Sequence, residues 1–370
     1  MKLNQYTILF LSLLLSFSCG KNEDVDNFGK KEMFTNYADN LILPAYEDYG
    51  TFLNALQRDL NAFKVSPTFL TLQDLQSSFS GAYLYWQYCE IYEKTEPANT
   101  IMAIDNINFY PTRADSINAY VARNENSTSF IKTRNKNDKG LPAIEYLLFN
   151  RTSNNQQILD RFTTDINAAS YKAYLTSLIA NLIEINTTIL SDWNTSYKST
   201  FINNIGTDAS GAFSVMVNSI AQRADDLKRH QVGIPAGYSG NIATATTYPN
   251  AVQAYYSKKN IEYMLLTLNN MKDVLNGKAT TDGKGLIDYI RTLNVTSTFG
   301  GNLADDILAQ IDVCITKVND SGTDFSETVV NNKPKADALF LETKKLLVLM
   351  KVDVPSALGV SITYTDSDGD

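Results

Sequence analysis

An all-α fold, two four-helix-bundle-like domains packed together, is what this 370-residue chain predicts, and three observations carry it. From Glu32 onward apolar residues recur every three or four positions, the period of a helix with one buried face. Alternation with a period of two, the mark of a half-buried strand, is almost absent apart from the final GVSITY at 359–364. Apolar residues make up 44% of the chain and aromatics 11%, against 19% charged, which is ample material for a core.

The elements follow in order. Leu41, Tyr46, Tyr49, Leu53, Leu56, Leu60 and Phe63 form one stripe on a long first helix, which Pro44 should kink. Ser66–Thr68 breaks it. Leu72, Leu75, Phe79, Tyr83, Trp86 and Tyr92 then mark a second helix, and Pro97 closes that region. The stretch 99–138 is rich in Asn, Thr and Ser and reads as short helices and loop. GLPAIEYLLF starts helically at Gly140, and a long helix or broken pair runs to Trp193. A second series has four helices, over 209–231, 250–277, 302–320 and 333–354. The boundaries expected are therefore a bundle over 32–196 and another over 197–370, joined near Ser196–Phe201.

The N-terminus carries an address. Lys2 precedes the apolar run Tyr6–Phe17, too short for a comfortable membrane span, and SFSC ends it in a cysteine. Residues 1–18 read as a lipoprotein signal peptide, with Cys19 the acylated first residue and 19–31 a polar tether. The acidic NEDVD behind the cysteine resembles export signals of surface lipoproteins in the Bacteroidetes. The expected location is the cell envelope, with the chain held to the outer membrane, on its periplasmic or surface face, through the lipid on Cys19.

A net charge of −8 and a pI near 4.9 give no basic field for a polyanion, so nucleic acid is excluded as a partner. Cys89 and Cys314 fall in helical patterns and read either as a disulfide or as two buried thiols. No CxxC and no HExxH occurs. The sole histidine, His230, precedes VGIPAG, where it caps a helix C-terminus or is borrowed by a site across the domain interface. GYSGN at 237–241 lacks the G-x-S-x-G form of a nucleophile elbow. The closing DSDGD has half the rhythm of a calcium loop and reads as an acidic tail.

The stretch KGLPAIEYLLF, from Lys139 to Phe149, concentrates the functional interest. Gly140 permits any backbone conformation, Pro142 suits a first helical turn, and Glu145 sits at the head of an apolar run. Taken alone it is a well-started helix. It also resembles the signature of the imelysin-like family, Gly-x-His-x-x-Glu followed by an aromatic and two leucines. Further blocks resemble the family in the same order: YADNLILPAY, YWQYCEIY, VGIPAG, VQAYYSKKNIEYMLLTLNNMKDVLNG and GKGLIDYI.

The resemblance implies two helical bundles with the signature near their interface. It implies a link to iron uptake and, through the family's name, peptidase activity. Glu145 matches the motif's glutamate. Glu90, with Trp86 in the block resembling Trp-x-x-x-Glu, is a second candidate carboxylate for a divalent metal or iron. Pro142 replaces the histidine and weakens any such site, since it offers no lone pair. The pocket expected comprises Gly140, Pro142, Glu145, Trp86, Glu90 and Tyr92. The reading is a non-enzymatic envelope protein binding a metal or small ligand, with a surface glycan- or peptide-binding protein or a metallopeptidase as alternatives.

Overall fold

The computed structural model describes residues 28–151 and 155–364. The signal peptide, Cys19, most of the tether and the DSDGD tail lie outside the described residues.

The chain is all-α, with a single pair of two-residue strands among the described residues, Tyr238–Ser239 and Ile242–Ala243. The first series runs α1 Lys30–Asn36, α2 Leu43–Val65, α3 Phe69–Cys89, α4 Ala103–Ile107, α5 Ala114–Ala122, α6 Thr128–Lys132, α7 Gly140–Leu148, α8 Asn155–Thr163 and α9 Ala168–Asp192. After α10 Lys198–Asn203 come α11 Ala212–Asp226, α12 Asn260–Leu275, α13 Leu286–Leu293, α14 Leu303–Asp320, α15 Phe325–Asn331, α16 Lys333–Val348 and α17 Val354–Leu358.

Helices α2, α3 and α9 pack together and the short helices close their sides, while α11, α12, α14 and α16 make the second group. One continuous apolar cluster runs through both. The turn between α2 and α3 is set by a capping box in which Thr68 and Thr71 each accept from the other's backbone N–H, at 3.3 and 3.0 Å. The chain stays helical from Ala168 to Asn203, across the stretch where the joint between bundles was expected. Helix α1 packs on α10, and Phe34 meets Phe201 and Phe213 edge-on.

Among the described residues four turns widen to π geometry: Tyr37–Ile42, Trp193–Tyr197, Leu227–Gly233 and Leu349–Asp353. Three of them end two residues before a proline: Pro44, Pro235 and Pro355. Proline lacks an N–H and its ring crowds the carbonyl four residues back, and a widened turn relieves both.

Two local expectations are corrected. GVSITY forms no strand; the side chain of Asn218 pairs with its backbone instead, donating to Ser361 O at 3.0 Å and accepting from Thr363 N at 2.7 Å. The helix expected over 250–277 begins only at Asn260. Before it the chain makes turns in which Ala254 and Lys258 take positive φ, 52° and 61°. These turns spend their polar groups on the first helix series, so tertiary bonding overrides local helical preference. Cys89 and Cys314 are both free and buried.

Candidate functional site

Gly140 has φ +77°, and a Cβ there would lie 2.3 Å from the carbonyl oxygen of Ile107. Only glycine lets α7 start against the end of α4. Pro142 is buried in the first turn of α7. Glu145, on the same helix, points across to the second series: its Oε1 accepts from the backbone N–H of Ser257 at 2.7 Å and from the Ser257 hydroxyl at 2.5 Å. Burial pushes this carboxyl up to about 7, against the pull of the Ser257 donors and the charge of Arg151. Arg151 adds a second tie, donating to Tyr255 O at 2.8 Å and to Asp324 at 2.6 Å while covering the Tyr255 ring. The turns that replaced the expected helix are thus the docking segment for the signature helix.

Glu90 lies in a different setting. The 3-10 turn Glu90–Tyr92 extends α3, and α11 packs on it. Glu90 Oε2 is 2.9 Å from the guanidinium of Arg223, and both side chains are almost wholly buried, 2% and 3% exposed. Asn108 donates to Glu90 Oε1 at 2.9 Å and accepts from the Tyr83 hydroxyl at 2.8 Å. Burial raises the Glu90 carboxyl above the usual range, and Arg223 and Asn108 oppose that rise.

The polar groups continue as a seam between the two series. Arg223 donates to Thr267 at 2.8 Å, Gln231 to Thr267 at 3.3 Å and to Gln253 at 2.8 Å, and Gln253 to Gln87 at 3.2 Å. Most of these polar groups find partners within the chain, which makes it tolerable in a core, though the side-chain oxygen of Gln231 has none among the described residues.

Beside this seam opens a cavity of about 290 Å³, walled by Glu90, Asp105, Asn108, Phe109, Tyr110 and Lys136 from the first series and by Arg223, Asp226, Arg229 and His230 from the second. His230 stands on the π turn Leu227–Gly233, its Nδ1 2.9 Å from Asp226 Oδ1, and its ring meets Phe109 at 6.2 Å. Widened turns of this kind recur at functional sites because they re-aim side chains. Glu93 is buried nearby, and burial first, then the Asp226 charge, push its carboxyl well above the usual range.

Of the six expected pocket residues, Glu90 alone lines this cavity. Trp86 is in the core against Tyr49, 5.3 Å between rings. Tyr92 lies at the wall of a separate cleft with Tyr85 and Tyr88. The two candidate metal carboxylates have separate partners. A resident divalent cation does not fit them: Glu145 is taken by two donors of Ser257 and Glu90 by an arginine and an amide. Among the described residues no three His, Cys, Asp or Glu side chains group to hold a metal.

Arg223, Asn108, Arg151 and Ser257 were not anticipated from sequence. Arg223 had a signal, since it falls in register with Met216, Val217, Ile220, Ala224 and Leu227 on the buried face of α11. A charge on an apolar stripe calls for a buried partner.

Fold and site together define a two-series α-helical protein with its signature helix docked across a polar interface. The chain belongs to the imelysin family: residues 42–348 match the family model for imelysin, Peptidase M75. Among solved structures it is similar to a protein from Parabacteroides distasonis named as an iron-regulated protein A precursor, with TM-score 0.72, 15% identity, and coverage of 93% of this chain and 97% of the other. It is also similar to an imelysin-like protein from Psychrobacter arcticum, with TM-score 0.69, 16% identity, and coverage of 93% and 98%. At such identities the likeness is one of fold. No curated protein matches the chain.

Proposed function

We propose that this chain is a non-enzymatic lipoprotein of the cell envelope that binds its ligand in the Glu90–His230 cavity and serves iron or metal uptake. The cavity carries the reading. Its walls come from both helix series and mix acids with bases, which suits a small, polar, charge-bearing ligand. Family membership and the name of the Parabacteroides relative support the link to iron. The metal site itself is degenerate, because a bare cation would have to displace Arg223 from Glu90. Iron therefore arrives as a complex whose own groups fill its coordination sphere. Arg229, which has no ion-pair partner among the described residues, and His230 meet the anionic groups of that complex.

A peptidase needs a metal-bound water or a nucleophile with a base. Ser257 and Glu145 are within bonding distance, yet the serine hydroxyl and N–H both serve a buried carboxylate, and the histidine lines the other site.

The test is a set of calorimetric titrations and thermal melts with ferric citrate, citrate alone and zinc chloride. Ferric citrate should bind and raise the melting temperature, zinc should do neither at equal concentration, and Arg229→Ala should weaken the ferric citrate response about tenfold. Equal stabilisation by zinc, or no response to ferric citrate, overturns the reading.

A further inference from the structure

A second cleft, of about 380 Å³, opens where the α2–α3 pair meets the C-terminal end of α12 and the turn that follows it. Its character differs from that of the polar cavity. Tyr85 and Tyr88 line it as half-buried rings, 5.8 Å apart and inclined at 53°. Phe52 stacks on Tyr85 at 4.1 Å and 20°, which fixes that ring before any ligand arrives.

Around these rings stand Asp48, Asp273, Asn40 and Lys278. Among the described residues neither Asp48 nor Asp273 has a side-chain hydrogen bond or ion pair, whereas the neighbouring Lys272 is already paired with Asp312 at 2.6 Å. Asn40 donates to Asn36 at 2.9 Å and keeps its side-chain carbonyl for another partner.

From these groups we infer that the tyrosine cleft is a binding site for a neutral carbohydrate of one or a few sugar rings, separate from the cavity assigned to metal uptake. A sugar ring presents an apolar C–H face with a rim of hydroxyls. The tyrosine rings match the face, and Asp48, Asp273 and Asn40 accept from the rim while Lys278 donates to it. Other occupants fit less well. An organic cation would use the rings and carboxylates but meet the charge of Lys278. A lipid chain would strip water from two unpaired carboxylates. An extended peptide needs a free backbone edge, and helices, whose main-chain groups bond internally, make most of these walls.

The experiment is calorimetry, with chemical-shift titration as a second readout, using cellobiose, maltose, chitobiose and trilysine as probes on the purified protein. At least one disaccharide should bind saturably with a Kd below about 10 mM, and trilysine should not. Tyr88→Ala and Asp48→Asn should each weaken that binding about tenfold. Both residues are partly or fully exposed, so thermal melts of both variants should match the parent. Their ferric citrate response should also be unchanged, which separates this site from the cavity. The inference falls if no disaccharide saturates, if trilysine binds in place of the sugars, or if both variants bind sugar as well as the parent.

Discussion

Glu145 and Ser257 stand 112 positions apart in sequence, and the carboxylate of one receives both donors of the other at 2.7 and 2.5 Å. The folded-state pKa of about 7 lies above the ordinary value of 4.5, so between those values the folded chain keeps a proton that the unfolded chain has released. The stability this contributes is full below about pH 4.5 and is lost as pH rises through about 7. The loss amounts to about 3 kcal/mol. Glu90 and Glu93, also raised by burial, act in the same direction. Glu145→Gln keeps an acceptor for Ser257 without the charge. It should make the fall in melting temperature between pH 5 and 8 shallower, leaving the part that Glu90 and Glu93 contribute, and leave the variant more stable than the parent at pH 8. A parallel pH profile in parent and variant would place the titration elsewhere.

Gly140 gives a sharper steric prediction. Its φ of +77° disfavours any side chain, and a methyl group would meet the Ile107 carbonyl at 2.3 Å. Backbone on both sides is fixed by helices, so neither partner yields cheaply. Gly140→Ala should lose at least ~2 kcal/mol in denaturant unfolding and yield less soluble protein. An unchanged midpoint would mean that α7 and α4 shift apart freely.

The all-α class was legible because Leu, Tyr and Phe at helical spacing leave little choice of partner face, and the stripes of α2 and α3 appear as read. The helix that carries the signature holds Gly140 and Glu145, both fixed by contacts outside it. What stayed hidden depends on sequence-distant geometry. Val252–Lys259 carries a helical pattern, yet Ser257 and Tyr255 spend their backbone groups on Glu145 and Arg151 instead of on neighbours in the chain. His230 reads from sequence either as a helix cap or as a residue borrowed across the interface, and only the widened turn before Pro235 shows it in the cavity wall. Trp86, expected beside the ligand, turns into the core.

Restoring the signature histidine tests whether the metal site decayed by one residue or by several. A histidine at 142 and Glu145 would share a helix face. Glu145, however, is already held by Ser257, and Glu90 by Arg223 and Asn108. Pro142→His alone should therefore gain no metal site, and zinc or ferrous iron should leave its melting temperature unchanged. A ligand at a hundredfold excess over its Kd would add about 2.7 kcal/mol, readily seen in a melt, and such a shift would show the remaining ligands to be intact.

The Glu90–Arg223 pair decides how the two helix series are held together at the cavity. Removing one member strands a buried charge, so Arg223→Met should cost about 3–5 kcal/mol. Burial already raises the Glu90 carboxyl, and without the guanidinium it should rise further. A raised carboxyl contributes stability at low pH that is lost as pH rises, so the deficit of Arg223→Met should shrink in acid. Glu90→Gln placed on top of Arg223→Met removes the stranded charge and should recover much of the loss, for a coupling energy of about 2 kcal/mol in the double-mutant cycle. Thr267 would still lack the donor that Arg223 supplies in the double variant, so full recovery is not expected. If the second substitution instead adds its own cost, the seam from Gln87 to Thr267 carries the joint and the ion pair is incidental to it.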